Sequence, residues 1–395
     1  MSRILCCWEI GSGFGHLFRL FPLVEALQRK GHQVIVAAPE VSRAVHIFDH
    51  LDISPLPSPA RQAPQKNFPL SQNYAQNLLR NGFWHAPTLT SRLRDWLALY
   101  DACQPDLILA EHAPGALLAA RLAGLNRAAI GTGFTIPPLV SPMPSIQPWF
   151  SVPQSRLLQI ESDFLALINP VVIDLGGKPL AAVADIFAGA EIFLCTFNEL
   201  DHYSVRSQMT YCGPIVYSPP QMKPEWPTEN CIRVFIYMRA ANRFLVPLLD
   251  QLQQMHLSVL ACVPDLHETE MDAFQWSNLR ITTEPVDLHQ VALDCSLMIS
   301  QGGTNAGTLM LLSGVPVLIC PLELEQTLWA YRLNSQKLGS MVNPFNPQPN
   351  LNEKIDFSLI AAEIQDQVQK FSDRYALYDS QVSVDNIANR ITFLL

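Results

Sequence analysis

A buried strand that ends in paired glycines and restarts as a helix constrains this chain more than any other feature. Residues 297–299 (Leu-Met-Ile) form an apolar run, Gly302-Gly303 closes it, and the spacing predicts a helix over 305–312. Gly314 stops that helix before a second apolar run over 315–320. Such a strand–turn–helix leaves the first backbone N–H groups of the helix unpaired, and the helix dipole adds roughly half a positive charge there. This arrangement suits an anion, above all a phosphate. It equally suits an ordinary strand–helix–strand crossing that needs glycine only for geometry.

The same pattern opens the chain. Residues 3–8 read as a strand, Gly11-Ser-Gly-Phe-Gly15 as a loop, and 17–30 as a helix with apolar residues at Leu17, Leu20, Phe21, Val24 and Leu27. Gly31 ends it, and 33–38 is a second strand. Further short buried strands are expected over 107–110, 128–131 and 192–196, with a helix over 115–122. Repeated β–α–β units imply a parallel sheet with right-handed crossovers. A second series starts at 234–238 and continues through a helix over 245–255 and strands over 258–263 and 279–282. Between the two series, 213–230 holds five prolines (Pro214, Pro219, Pro220, Pro224, Pro227) and no helical period. That composition suits a connection between domains. The chain ends in a helical pattern over 382–395. At 395 residues it exceeds what one core supports, so the fold class expected is α/β: two doubly wound, parallel-sheet, Rossmann-like domains facing across a cleft.

Composition excludes several functions. The net charge is −9 with no Lys/Arg-rich run, which argues against nucleic acid. Nine cysteines, an odd number, occur without any Cys-x-x-Cys pair, so neither a disulfide framework nor a zinc site is indicated and no metal ligands are assigned. Residues 304–322 carry no charge and are long enough to span a bilayer, but Ser313-Gly-Val-Pro316 breaks them into two short elements. The opening apolar run is too short for a signal peptide. The expectation is a cytoplasmic protein with no transmembrane segment.

Three constellations carry chemical possibilities. In the first loop, position 16 is histidine where a dinucleotide-binding loop has its third glycine, and the nearest strand-end acid is Glu40, so the NAD reading is weak. A histidine at the carboxyl edge of a parallel sheet stands where open α/β folds bind ligands, and imidazole can act there as a general base. Glu111 ends another strand of the same sheet and can orient that imidazole; alternatively His16 is a helix-terminal residue and Glu111 an ordinary cap. Third, Glu325-Gln326 follow the second strand of the opening motif and offer acceptors and donors suited to sugar hydroxyls, or else a helix cap.

Taken together, Gly15-His16 with Pro22, Pro105-Asp106-Leu107 leading to Glu111, Gly131-Thr132-Gly133-Phe134, Glu199-Leu200-Asp201, Gly213-Pro214, Gly302-Gly303, Ser313-Gly314-Val315-Pro316 and Glu325-Gln326 resemble the GT-B nucleotide-sugar-dependent glycosyltransferases, the family of plant, antibiotic-tailoring and glucuronosyl transferases. The resemblance runs nearly the whole length. It implies an acceptor-binding domain over 1–217, a proline-rich linker over 218–230, a nucleotide-sugar-binding domain over 231–380, and a final helix over 381–395 crossing back to the first domain. The activity implied is inverting, metal-independent, hexosyltransferase-type sugar transfer. The donor is a UDP- or TDP-type nucleotide-diphospho sugar serving as co-substrate, no other cofactor is implied, and the acceptor is a hydroxyl of a small apolar molecule.

By the same resemblance, His16 is the base and Glu111 its orienting acid. Gln301, Gly302, Gly303, Thr304, Asn305, Glu325 and Gln326 stand at the donor positions, Gly13, Phe14, Thr132 and Phe134 line the acceptor site, and Arg239 is added to the donor set from this chain's own sequence. Trp84, Trp149 and Phe150 are further aromatics in or near the first domain's loops. The chain departs from the family pattern at Gln301, where histidine is usual, and at Leu309, where a glutamate commonly grips the ribose. Arg239 or Arg243 can supply the missing charge to a diphosphate. These departures leave a rival open: a scaffold or binding protein of the same fold that has lost donor binding. An epimerase of that fold is a third possibility.

Overall fold

Both β–α–β series are realised as sheets in the computed structural model, which describes residues 1–60, 69–204, 206, 209–218, 221–229, 231–274, 276–346 and 349–395. Pro219, Pro220 and Asn230 of the proline-rich segment lie outside the described residues. The chain divides into two compact units. Unit 1 comprises Met1–Ile215 with Ser380–Leu395, and unit 2 comprises Val216–Asp379.

Unit 1 contains β1 (Arg3–Trp8), β2 (Gln33–Ala38), β3 (Leu56–Pro57), β4 (Leu107–Glu111), β5 (Asn126–Gly131) and β6 (Glu191–Leu194), hydrogen-bonded in the order β3-β2-β1-β4-β5-β6 with every pair parallel. Unit 2 contains β7 (Ile232–Tyr237), β8 (Leu257–Cys262), β9 (Leu279–Thr282), β10 (Leu297–Ser300), β11 (Val317–Ile319) and β12 (Gly339–Met341), in the order β12-β11-β10-β7-β8-β9, again all parallel. Counted within each unit, both sheets have the strand order 3-2-1-4-5-6 of a doubly wound Rossmann fold. Central strands read as near-continuous apolar runs because both faces are covered by helices; β1, for example, is buried from Ile4 to Trp8.

The order of each sheet reverses at one place, between β1 and β4 in unit 1 and between β7 and β10 in unit 2. Register fixes what meets there: Trp8 lies opposite Glu111, and Tyr237 opposite Ser300. Ligands of open α/β sheets bind beyond the carboxyl ends of the strands at this switch point. The residues leaving these four strand ends are therefore the ones that matter for function.

Of the proline-rich segment, residues 213–215 belong to unit 1 and the described residues from Val216 onward to unit 2. Met222 bridges to Val286, Thr228 N–H donates to Ser258 Oγ, and Arg233 lies over the Trp226 ring. The final helix, Ser380–Phe393, packs on the first helix, Gly15–Arg29, burying Val384, Ile387, Ala388 and Ile391. Val384, Ile387 and Ile391 each contribute about 1.5–3 kcal/mol when fully buried, which joins the end of the chain to its beginning. None of the nine cysteines is in a disulfide. Among the described residues, no helix is long and apolar enough to cross a membrane.

Candidate active site

In unit 1 the helix Gly15–Arg29 starts immediately after the β1 loop, so His16 sits in its first turn and Glu111 ends β4 beside it. His16 Nδ1 lies 2.5 Å from Glu111 Oε2, and the carboxylate is fully buried. The other oxygen, Oε1, accepts a hydrogen bond from Arg19 Nη1. His16 and Arg19 are three residues apart on one helix face, which lets both reach the same carboxylate. Burial pushes the Glu111 carboxyl up, but the adjacent His16 and Arg19 outweigh it and bring it down to about 2. An ionised Glu111 holds the proton of His16 on Nδ1. That leaves the lone pair on Nε2, which has no hydrogen bond among the described residues.

The imidazole is held in place on several sides. It stacks on Trp8 (ring centroids 4.9 Å apart, 24° between planes) and on His112 (5.9 Å, 29°). Its Nε2 lies over Gly11, where a Cβ would come within 2.1 Å of that nitrogen. Gly11 also has φ +115°, which side-chain-bearing residues rarely adopt. His112, at φ +43°, thus packs against the imidazole face while Glu111 takes the hydrogen bond.

The acceptor-side residues divide into two groups. Thr132 and Phe134 are buried in the turn after β5, and Phe134 meets His112 edge-on (6.3 Å) and His202 at 5.9 Å. That turn is clamped by Arg206, whose guanidinium donates to the carbonyls of Gly133 and Ile136 and to both oxygens of the buried Asp201. His202 is buried, neither ring nitrogen has a hydrogen-bond partner among the described residues, and burial with Arg206 and Arg19 nearby depresses its protonation to about pH 3. Gly13 and Phe14 are on the other side. Gly13 N–H reaches Glu40 Oε1 at 3.4 Å, while the exposed Phe14 ring stacks on Phe18 and lies under Arg43. Among the other aromatics, Trp84 packs on His85 and Trp149 meets Phe150, which is exposed.

A second buried carboxylate adjoins this network. Glu9 follows β1, pairs with Arg92 at 3.1 Å, and accepts the Gly115 N–H at 2.7 Å. Burial dominates here, and the Glu9 carboxyl is raised despite Arg92.

In unit 2 the turn after β10 carries Gln301, Gly302 and Gly303. Gly303 is the cap residue of the helix Thr304–Leu312, and no side chain caps it. The first bond into the turn is Gly307 N–H to Gly303 O, so the amides of Thr304, Asn305 and Ala306 donate to no group among the described residues. Gly302 has φ +101°, and a Cβ there would crowd Ile319 and Gln326 at 3.0 and 3.2 Å. Gln301 Oε1 accepts the Arg239 N–H at 3.1 Å, which turns its NH2 away as a remaining donor. The Arg239 guanidinium makes no hydrogen bond or ion pair among the described residues. Arg243 is committed elsewhere, donating to the carbonyls of Pro344 and Asn346 and lying over Phe244.

Two of the expected donor residues have structural duties. Asn305 uses its side chain on the backbone of Tyr217, accepting from its N–H at 3.3 Å and donating to its carbonyl at 2.8 Å. Gln326 accepts the N–H groups of Leu322 and Glu323 at the start of the helix Leu324–Ser335, a capping box, which leaves only its NH2 outward. Glu325 stands in the first turn of that helix. Leu309 is buried in the core.

No family model matches the chain, and no curated protein matches it. Solved structures do share its fold. The glycosyltransferase VinC, solved in complex with dTDP, is 16% identical, covers 98% of this chain and 100% of its own, and superposes with a TM-score of 0.68. The spinosyn rhamnosyltransferase SpnG is 19% identical over 98% of this chain and 100% of its own, with a TM-score of 0.67. The glycosyltransferase SnogD from Streptomyces nogalater is 15% identical over 100% and 99% of the two chains, with a TM-score of 0.65. At these identities the likeness concerns the fold, and the fold is GT-B.

Proposed function

We propose that the chain is an inverting, metal-independent glycosyltransferase of the hexosyltransferase type. It moves a sugar from a UDP- or dTDP-linked donor to a hydroxyl of a small apolar acceptor. The observation that carries this reading is the His16 imidazole, tied through Nδ1 to an ionised, buried Glu111 with Nε2 left unbonded at the carboxyl edge of the sheet. Support also comes from the neighbours: VinC was solved with dTDP, and SpnG with both spinosyn aglycone and thymidine diphosphate.

In this reading Nε2 takes the acceptor's hydroxyl proton as the acceptor oxygen attacks the anomeric carbon. The bond from that carbon to the diphosphate breaks on the opposite face, inverting the centre. The nucleotide diphosphate leaves with the electron pair, and His16 later returns its proton to water. Developing charge on the leaving group is met by the amides of Thr304, Asn305 and Ala306, the NH2 of Gln301 and the Arg239 guanidinium. The acceptor lies by Gly13, Phe14, Thr132 and Phe134, and the sugar by Glu325 and the NH2 of Gln326.

Thermal unfolding with UDP, dTDP and GDP tests donor binding. A ligand at 100 times its Kd is expected to stabilise by about 2.7 kcal/mol. If none of the nucleotides stabilises, the donor-deficient scaffold takes the place of this reading. In the same assay His16→Ala is expected to keep nucleotide binding while losing roughly 10²–10⁴-fold in transfer. Undiminished turnover removes His16 from its role.

A further inference from the structure

We propose that Arg19 is a positioning residue for proton transfer: it holds one oxygen of Glu111 so that the other stays on His16 Nδ1, and it keeps the Glu111 carboxylate ionised. This deepens the transferase reading and rests on it. Nothing in the motifs assigns Arg19 a role, yet it is an arginine in an otherwise apolar helix stripe, mostly buried, with its Nη1 on Glu111 Oε1.

The argument follows from the acid's two oxygens. A buried carboxylate bound only to a histidine has a second oxygen without a partner, which favours rotation or protonation. Arg19 occupies that oxygen with a cation that does not deprotonate. The Glu111 carboxylate then has one orientation and stays ionised, so it stabilises an imidazolium without accepting its proton. Arg19 also adds positive charge beside His16, which makes the imidazolium less favourable than in a simple His–Glu pair and eases return of the proton. The other titratable groups around Glu111 and Arg19 come from several elements: His112 just after β4, Cys195 just after β6, His202 in the following loop, and Tyr74 on the helix Tyr74–Leu78. Of these, burial keeps the Cys195 and Tyr74 protons on and His202 neutral near pH 7; Arg206 lies beside His202 and pairs with Asp201, so Arg19 is the permanent cation paired with Glu111.

The test is the titration of the His16 ring, followed by NMR of ring-labelled histidine in the full chain, with the resonance assigned by its loss in His16→Gln. In Arg19→Met the midpoint is expected on the order of one pH unit higher than in the wild type. Arg19→Lys, which restores the charge, is expected to return it most of the way. The acid limb of kcat/KM for transfer is expected to move in step. Should Arg19→Met not fold, Arg19→Gln removes the charge at similar length and is read in the same way. An unchanged midpoint in the charge-free variant, or failure of lysine to restore it, overturns the proposal. The two readings fail separately. A shifted midpoint with no transfer from any nucleotide sugar removes the transferase reading alone, and normal transfer with an unmoved acid limb in Arg19→Met removes the role of Arg19 alone.

Discussion

The two units place their candidate sites at equivalent points of sheets with the same strand order, but they build them from different materials. Unit 1 uses buried charge. Glu9–Arg92, Glu111 with His16 and Arg19, and Asp201–Arg206 all have carboxylates with no exposed surface. Unit 2 uses the backbone. Its ion pairs among the described residues, such as Arg280–Glu225 and Lys337–Glu363, lie on the surface, while the turn after β10 offers unpaired amides and one amide side chain. Each material suits the chemistry proposed for it. A proton-transfer group needs one side chain fixed in tautomer and direction, which charge pairing achieves. A diphosphate carries its charge over many oxygens and is matched by many partial charges. The difference also predicts how each site responds to damage: single changes in unit 1 have large effects, and single changes in unit 2 small ones.

The largest effect is expected at Arg92. Within unit 1, Glu9 and Glu111 are equally buried, yet Glu9 is raised and Glu111 brought down to about 2, because Glu9 has one cationic partner and Glu111 two. Arg92→Met leaves Glu9 with only the Gly115 and Ala116 N–H groups and no cation, and breaking a buried pair in this way costs about 3–5 kcal/mol. Urea denaturation measures the loss. The double variant Arg92→Met with Glu9→Gln is expected to recover much of it, since the unpaired charge is gone. A loss below about 1 kcal/mol breaks the claim that buried charge organises unit 1.

Acid sharpens the contrast further. Glu111 has its folded value about 2 against an ordinary 4.5, so its contribution is complete above pH 4.5 and is lost as the pH falls toward 2. His202 is depressed to about 3 from 6.5, so the unfolded chain takes up a proton there that the folded chain refuses. That contribution is complete above 6.5 and declines as the pH falls toward 3, with a slope of about 1.4 kcal/mol per pH unit for the one proton. Glu9 runs the other way, its raised value disfavouring the fold as pH rises, but His202 acts over the wider window. Among the described residues of unit 2, the resolved shifts are upward shifts of thiols and a phenol, Cys262, Cys295, Cys320 and Tyr237, none in the acid range. Unit 1 is therefore expected to lose hydrogen-exchange protection before unit 2 as the pH is lowered from 7 to 3, with His202→Phe delaying it. Simultaneous loss in both units contradicts this.

How much of this was legible in the sequence follows from the range of the interactions. The β–α–β runs were readable because glycine stops and apolar periods are local, and His16 and Glu111 because each closes or follows such a run. Arg19 carries a weaker local signal: a charge three residues from His16 on the buried stripe of Leu17, Leu20 and Phe21. The Glu9–Arg92 pair spans 83 residues and has no local trace. The helix Gln154–Asp174 is obscured by Pro170 inside it. Asn305 and Gln326 show the opposite limit. Each stands at a promising position, yet in the fold its carbonyl oxygen is already engaged by backbone N–H groups.

The smallest effect is expected at Arg239, and it is the most direct probe of the unit 2 half of the contrast. Arg239 follows β7 at the switch point, its backbone N–H fixes Gln301, and its guanidinium has no partner of its own among the described residues. If the diphosphate is held by several amides together, removing one charged donor takes about 1.5–3 kcal/mol from the total and leaves the rest in place. Arg239→Ala is then expected to weaken dTDP or UDP by roughly ten- to a hundredfold in calorimetry, with binding still measurable. Arg243→Ala, which removes a side chain bonded to Pro344 and Asn346, is expected to change stability and not affinity. Abolished binding in Arg239→Ala would mean that unit 2, like unit 1, depends on a single charge, and the distinction drawn between the two sites would fail. Unchanged affinity would leave the distinction standing and place the diphosphate on the backbone amides and Gln301 alone.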